Sequence, residues 1–248
     1  MRRNNVDYPK TVNHLSLCAG YGGIDLGLRS KIKNIRTVCY VEIEAFAIEN
    51  LVAKIESEKL DPAPIYSDLK TFPFGKFRGC VDILSGGFPC QPFSGAGKKA
   101  GTEDPRHLFP YILKGITECE PDIVFLENVE GIISSKLKGD EWSDPEGTPV
   151  LLHVLRELER VGYESTSSIF SAAEVGASHQ RRRVFIMGVR KGLSLERRAN
   201  VWRNIKNVFD HTAYPAKRGA PQEPWEPPRT VGDTSSKRLE GAEQARKS

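Results

Sequence analysis

The 248-residue chain is 39% hydrophobic and 27% charged, an ordinary balance for a globular protein and enough length for one large α/β domain or a domain with a tail. No apolar run approaches the ~20 residues that span a bilayer, and the polar start Met1-Arg2-Arg3-Asn4-Asn5 lacks a signal-peptide core, so an intracellular, cytoplasmic location is expected. Five cysteines without a Cys-x-x-Cys pair argue against a disulfide framework and a zinc knuckle, leaving reduced thiols and no metal site, and a net charge of +4 permits an anionic partner without requiring one.

After a polar lead, residues 12–18 predict a strand that runs into Ala19-Gly20-Tyr21-Gly22-Gly23 and then an apolar-periodic helix. This arrangement lets a cofactor approach backbone N–H groups at a helix N-terminus, with Gly20 and Gly22 making the tight turn. The next strand, residues 37–41, ends at Glu42, where a carboxylate can accept from a ribose diol. No lysine follows the glycines in a Walker pattern, so the pair indicates an adenosine-containing cofactor, either a dinucleotide or S-adenosylmethionine. A helix over residues 45–59 returns the chain to a short strand, residues 65–69, which carries the acid Asp68.

Residues 81–84 predict a buried strand that the glycines Gly86 and Gly87 end, placing Cys90 between Pro89 and the Gln91-Pro92 pair on a rigid turn. In open α/β sheets the crevice beyond the strands' carboxyl ends is where ligands bind, so a thiol there is placed for chemistry. The glycine-rich loop 95–101 carries Lys98 and Lys99 and can touch phosphate. Asp104 and Pro105 mark the start of an amphipathic helix that runs through Glu118. The following strand, residues 122–126, leads into Glu127-Asn128-Val129, so a thiol and a carboxylate are offered to one crevice. A helix over 149–161 and a further strand precede His179-Gln180-Arg181-Arg182-Arg183.

Phe88-Pro89-Cys90-Gln91-Pro92 resembles the Pro-Cys-Gln motif of the cytosine-C5 DNA methyltransferases, and Glu127-Asn128-Val129 resembles their Glu-Asn-Val motif. The glycine turn, the acids Glu42 and Asp68, and the arginine run are similar to further motifs of that family in the same order, so the resemblance covers roughly residues 12–190. It implies a doubly wound, mostly parallel α/β sheet of the Rossmann-like S-adenosylmethionine-dependent methyltransferase type, with helices on both faces. It also implies a cofactor site formed by Ala19, Gly20, Tyr21, Gly22, Gly23, Glu42, Asp68 and Pro89.

For catalysis the resemblance implies Cys90, Glu127, Arg181 and Arg183. Cytosine C5 is a poor nucleophile until a thiolate adds at C6. Cys90 takes that role, while Glu127, its pKa raised by burial, hydrogen-bonds ring N3. The activated ring takes the methyl group of S-adenosylmethionine at C5, the C5 proton leaves and Cys90 is expelled. The base must be flipped from double-stranded DNA, held by Arg181 and Arg183, and Asn128 is expected to orient the Glu127 and Pro89 segments. An NAD dehydrogenase has no use for the thiol–carboxylate pair, and RNA is the weaker substrate choice.

Two positions depart from the family pattern: Cys18 stands in place of phenylalanine and His179 in place of glutamine. Residues 191–210 predict a helical extension and 211–248 a proline-rich, extended tail. Neither a target-recognition region nor a closing Gly-Asn segment is recognisable after Arg190. The alternatives to a working methyltransferase are therefore a silent remnant, or a half-enzyme that binds cofactor or nucleic acid and needs a second chain.

Overall fold

The computed structural model describes residues 11–89, 108–136 and 147–193. Among them, residues 171–181 group as a small second unit, and the other described residues form the main one. Cys90, the Lys98–Lys99 loop, the expected helix start at Asp104 and the tail beyond residue 193 lie outside the described residues.

The main unit is built on a mostly parallel sheet, the type that the resemblance implies, with seven strands among the described residues: β1 (Val12–Leu17), β2 (Ile35–Val41), β3 (Ile65–Tyr66), β4 (Ile83–Gly87), β5 (Ile123–Val129), β6 (Tyr163–Ser171) and β7 (Arg182–Arg190). Their order is β3-β2-β1-β4-β5-β7-β6. The first five run parallel, and β7 enters antiparallel to β5. The chain crosses from one half of the sheet to the other between β1 and β4, the switch point at which such sheets open a crevice beyond their strand ends.

The alternation of side chains along β1 separates the two faces. Leu15 and Leu17 join a core with Val124, Leu126, Val184 and Ile186, covered by α3 (Phe109–Cys119) and α4 (Val150–Arg160). On the other face Ile83, Ile123 and Val189 pack against Ile32 and Leu28 beside α1 (Gly23–Lys31), and Tyr40 packs against Leu51 of α2 (Ala45–Glu56). No helix among the described residues is long and apolar enough to cross a membrane.

The expected end of β4 at its glycines needs correction: the strand continues through both. A Cβ on Gly86 would lie 3.2 Å from the Leu17 carbonyl oxygen, and one on Gly87 would lie 3.2 Å from Glu127 Oε2. These glycines therefore belong to the strand because its neighbours approach too closely for a side chain. β5 likewise extends past Leu126, so Glu127 is a strand residue opposite Gly87 on one side and Phe185 on the other.

Gly115 shows the same logic in a helix. A Cβ there would lie 2.5–2.8 Å from the Phe74 ring, which is itself buried. Gly115→Ala is expected to destabilise the protein by about 1–2 kcal/mol, overpacking outweighing the ~1 kcal/mol gain in helix propensity. Urea unfolding would register this as a lower midpoint at unchanged slope.

Candidate active site

The turn after β1 is shaped by three residues in the left-handed region, Cys18 (φ 47), Gly20 (φ 54) and Gly22 (φ 73). Gly22 forms the N-terminal cap of α1, and its N–H donates to the Ala19 carbonyl at 2.9 Å. A Cβ there would lie 2.8 Å from Leu60 Cδ1, so both backbone angle and space demand glycine. At Gly20 and Gly23 an added Cβ would meet nothing within 4 Å. The turn is thus packed against the core at Gly22 and open at Gly20 and Gly23. Burial and then the nearby Glu42 charge push the Cys18 thiol up to about 12, so it stays a neutral packing group.

Glu42 holds the turn from β2. Its Oε2 accepts from the Gly20 N–H at 2.6 Å, and its Oε1 accepts from the Ile43 and Glu44 N–H groups at 2.8 and 2.9 Å. Three of about four lone-pair positions are engaged by backbone, which leaves one on Oε2. The carboxylate predicted to meet a diol is therefore also the brace of the glycine turn. Glu42→Gln would set an amide donor against one of these N–H groups. It is expected to weaken binding of an adenosine cofactor about 5- to 150-fold, the consequence of leaving a buried donor unpaired at ~1–3 kcal/mol, as titration calorimetry would measure.

Beyond Glu42 stand two side chains that the sequence reading passed over, Ile43 at 69% and Phe46 at 80% exposure. Tyr21, from the glycine turn, is 62% exposed, with Lys54 Nζ 5.9 Å from its ring centroid and hydrogen-bonded to its carbonyl. An apolar residue directly after an acid at a strand end was the available signal for Ile43, though no periodicity distinguishes it. Asp68 lies at the start of the short helical turn Leu69–Thr71, where Oδ1 accepts from the Lys70 N–H at 2.9 Å. It is a capping residue at the position predicted for an adenine-binding acid.

The second half of the site gathers at the ends of β4, β5 and β7. Asn128 is 1% exposed, donates from Nδ2 to the Phe88 carbonyl at 2.9 Å and accepts from the Val129 N–H at 2.8 Å. It ties the end of β5 to the segment leading into Pro89, which is the orienting role expected of it. Arg183 Nε donates to Glu127 Oε1 at 2.7 Å, with both side chains about three-quarters covered. Glu127 was expected to be buried. Instead it is a quarter exposed beside a guanidinium, because its strand end opens to the cleft and β7 brings Arg183 alongside.

Arg183 and Glu127 are thus brought together. Arg181 belongs to the second unit, where its N–H donates to His179 Nδ1 at 3.3 Å and its carbonyl accepts from the Ala172 N–H. Pro89 is an exposed residue at the end of the described β4 segment, and Cys90 follows it outside the described residues. The cofactor half and the Glu127 half meet over Gly87. A Cβ built there would touch Glu127 Oε2 at 3.2 Å and the Cys18 carbonyl at 3.9 Å.

A doubly wound sheet with a braced glycine turn at its switch point and a carboxylate two strands away has the architecture of a Rossmann-like methyltransferase fold. Solved structures share it: a variant of Spodoptera frugiperda DNMT2 aligns with a TM-score of 0.58 at 21% identity, over 74% of this chain and 51% of that one. Schizosaccharomyces pombe Dnmt2 aligns with a TM-score of 0.57 at 21% identity, over 74% and 52%. The sequence model described as C-5 cytosine-specific DNA methylase matches residues 12–244, and the chain belongs to that family. This match runs beyond Arg190, where the recognisable motifs stop.

Among similar proteins are the Type II methyltransferase M.NgoMIV of Neisseria gonorrhoeae, 32% identical over 71% of this chain and 51% of its own length, and M.NlaX of Neisseria lactamica, 32% identical over 70% and 51%. The chain spans about half the length of these curated relatives.

Proposed function

We propose that this chain is the catalytic part of a DNA (cytosine-5-)-methyltransferase, acting on a cytosine flipped from the duplex. The observation that carries the reading is the gathering of the glycine turn after β1, the Phe88–Pro89 segment after β4 and the Glu127–Arg183 pair of β5 and β7 at the ends of neighbouring strands. A methyl donor and an acceptor base need binding groups at adjacent strand ends. Type II methyltransferase relatives and the family membership support DNA as the substrate.

The residues present fit S-adenosylmethionine, which supplies the methyl group when bound. The open faces of Gly20 and Gly23 admit a ligand to backbone, the remaining lone pair of Glu42 can accept from a ribose hydroxyl, and exposed Ile43 and Phe46 offer an apolar wall to an adenine. Asp68 and Pro89 complete the set proposed for that side.

On the base side Cys90 is the nucleophile that adds to C6. Glu127 Oε2 faces the space over Gly87 while Oε1 is held by Arg183, so the carboxyl is oriented with one oxygen toward ring N3. A proton shared between that oxygen and N3 offsets the charge that thiolate addition drives into the ring. Asn128 fixes the spacing between the strand ends that carry these two groups. Arg181 is proposed to contact the flipped nucleotide or its backbone.

Trapping tests the reading. The purified chain is mixed with S-adenosylmethionine and duplex DNA containing 5-fluorocytosine, whose fluorine blocks release after methyl transfer. A covalent adduct surviving denaturation is the expected result. Cofactor binding without an adduct would instead favour the second reading, a half-enzyme completed by another chain. Absence of both would leave the silent remnant.

A further inference from the structure

The sheet face that carries Ile123 and Val189 is covered unevenly. Strand alternation places Phe125 of β5 and Phe185 and Met187 of β7 on this same face, with Met187 directly opposite Phe125. Phe185 stacks on Phe125 with ring centroids 5.5 Å apart, and Phe170, near the end of β6, meets Phe185 edge-on at 5.8 Å. On the opposite face Val124, Leu126, Val184 and Ile186 of the same two strands are fully buried. Phe125, Phe185 and Met187 are only half-buried, and Phe170 is 44% exposed.

This strip has the width of one helix. Along β6 the same face carries the exposed Thr166 and Ser168, so the apolar part is confined to β5, β7 and the Phe170 end of β6. Three strands about 4.8 Å apart measure roughly 10 Å across, the diameter of an α-helix with its side chains. Met187 joins the strip to the cluster of Ile32, Ile83, Ile123 and Val189.

The chain itself leaves the sheet on this face. After β7 the Lys191 N–H donates to the Gly162 carbonyl at 2.8 Å, and Gly192 turns the backbone with φ 76. A Cβ at Gly192 would meet nothing within 4 Å, so the backbone angle is what calls for glycine. Leu193 then packs, like Met187, against the Ile32, Ile83, Ile123 and Val189 cluster. The helix that the sequence predicts over 191–210 continues from that point. In it Leu195, Trp202, Ile205 and Phe209 recur at helical spacing, flanked by Val201 and Val208, while Arg197, Asn200, Arg203 and Asn207 fall on the other side. Arg198 interrupts the stripe near its start, where a long stem can lie on apolar surface and carry its charge to the sheet's edge. As a helix, residues 195–209 rise about 22 Å, against roughly 30 Å for the nine residues of β7.

We propose that residues 195–209 fold back over β7 as an amphipathic helix whose apolar stripe covers the Phe125, Phe185 and Phe170 ladder. The turn at Gly192 and the anchor at Leu193 direct it back toward the strand ends, where Glu127 lies opposite Phe185. The stretch after β7 is then a layer of the catalytic unit, and this face is closed to a complementing chain. Nothing in the arrangement depends on the methyl-transfer chemistry, since it uses only the sheet and the chain's own continuation.

Trp202 fluorescence in the full chain tests it, once the other two tryptophans, Trp142 and Trp225, are replaced by phenylalanine. The folded parent chain is expected to show blue-shifted emission and several-fold weaker quenching by acrylamide than the urea-unfolded chain, both unchanged on dilution. Phe170→Asp sets a charge in the strip and should shift the emission to the red and restore quenching. Ile205→Asp, which leaves the sheet untouched, should do the same, and Leu152→Ser on α4 of the opposite face should do neither. Emission typical of a hydrated indole in the folded parent chain would overturn the proposal. Shielding that fades on dilution would also overturn it, by making a second copy the occupant, and shielding that survives Phe170→Asp would place the segment on another surface.

Discussion

Replacing Cys90 with serine is expected to lower methyl transfer by roughly four or more orders of magnitude, the scale seen when a nucleophile that works as a unit with its partners is removed. A thiol is more acidic and intrinsically far more nucleophilic than a hydroxyl, so serine at the same position is a much poorer attacking group. The exchange is nearly isosteric, so thermal unfolding should be unchanged and calorimetric binding of S-adenosylmethionine retained. The 5-fluorocytosine adduct should vanish with the activity. Turnover comparable to wild type would remove Cys90 from the nucleophile's role.

Glu127→Gln is expected to cost about 10²- to 10⁴-fold in methyl transfer, the usual contribution of a positioned acid–base group. The amide preserves volume and can still hydrogen-bond, but it cannot pass a proton to ring N3. It also leaves Arg183 Nε, now 2.7 Å from Oε1, facing a neutral group. Glu42 holds the glycine turn from the end of β2, and among the described residues none of its hydrogen bonds involves Glu127, so affinity for S-adenosylmethionine should stay within about twofold. Single-turnover kinetics alongside calorimetry separate the two effects. A parallel loss of cofactor affinity would show that Glu127 acts through the fold instead.

These two variants, with Glu42→Gln, divide the site along the line at Gly87. Glu42→Gln is expected to act on cofactor binding, and Cys90→Ser and Glu127→Gln on methyl transfer. Asn128 has a place in neither list of chemical groups, yet its bond to the Phe88 carbonyl sets how far apart the two strand ends stand. Its burial at 1% exposure explains why a polar residue is kept there: both ends of its amide are satisfied by backbone.

Much of this arrangement was legible in the chain alone, because it depends on short-range chemistry. Apolar runs ending in glycine, acid or proline mark strand ends whichever strands they pair with, so the glycine turn, Glu42, the lead into Pro89 and Glu127 could be placed at the rim of an α/β sheet. The spacing of five such segments then identified the family. Tertiary structure alone decided what those groups touch. That Glu42 spends three acceptor positions on backbone, and that Glu127 stands beside Arg183 at a partly open strand end, are tertiary contacts that the sequence does not encode locally. The continuation of β4 through Gly86 and Gly87 is another such case, since a glycine pair reads as a break until its neighbours are known to leave no room for a side chain. His14 and Asp25 are 11 positions apart and carry no motif that links them; only the parallel pairing of β1 with β2 and β4, and the return of α1 over that face, encloses them together, 3.4 Å apart and away from water.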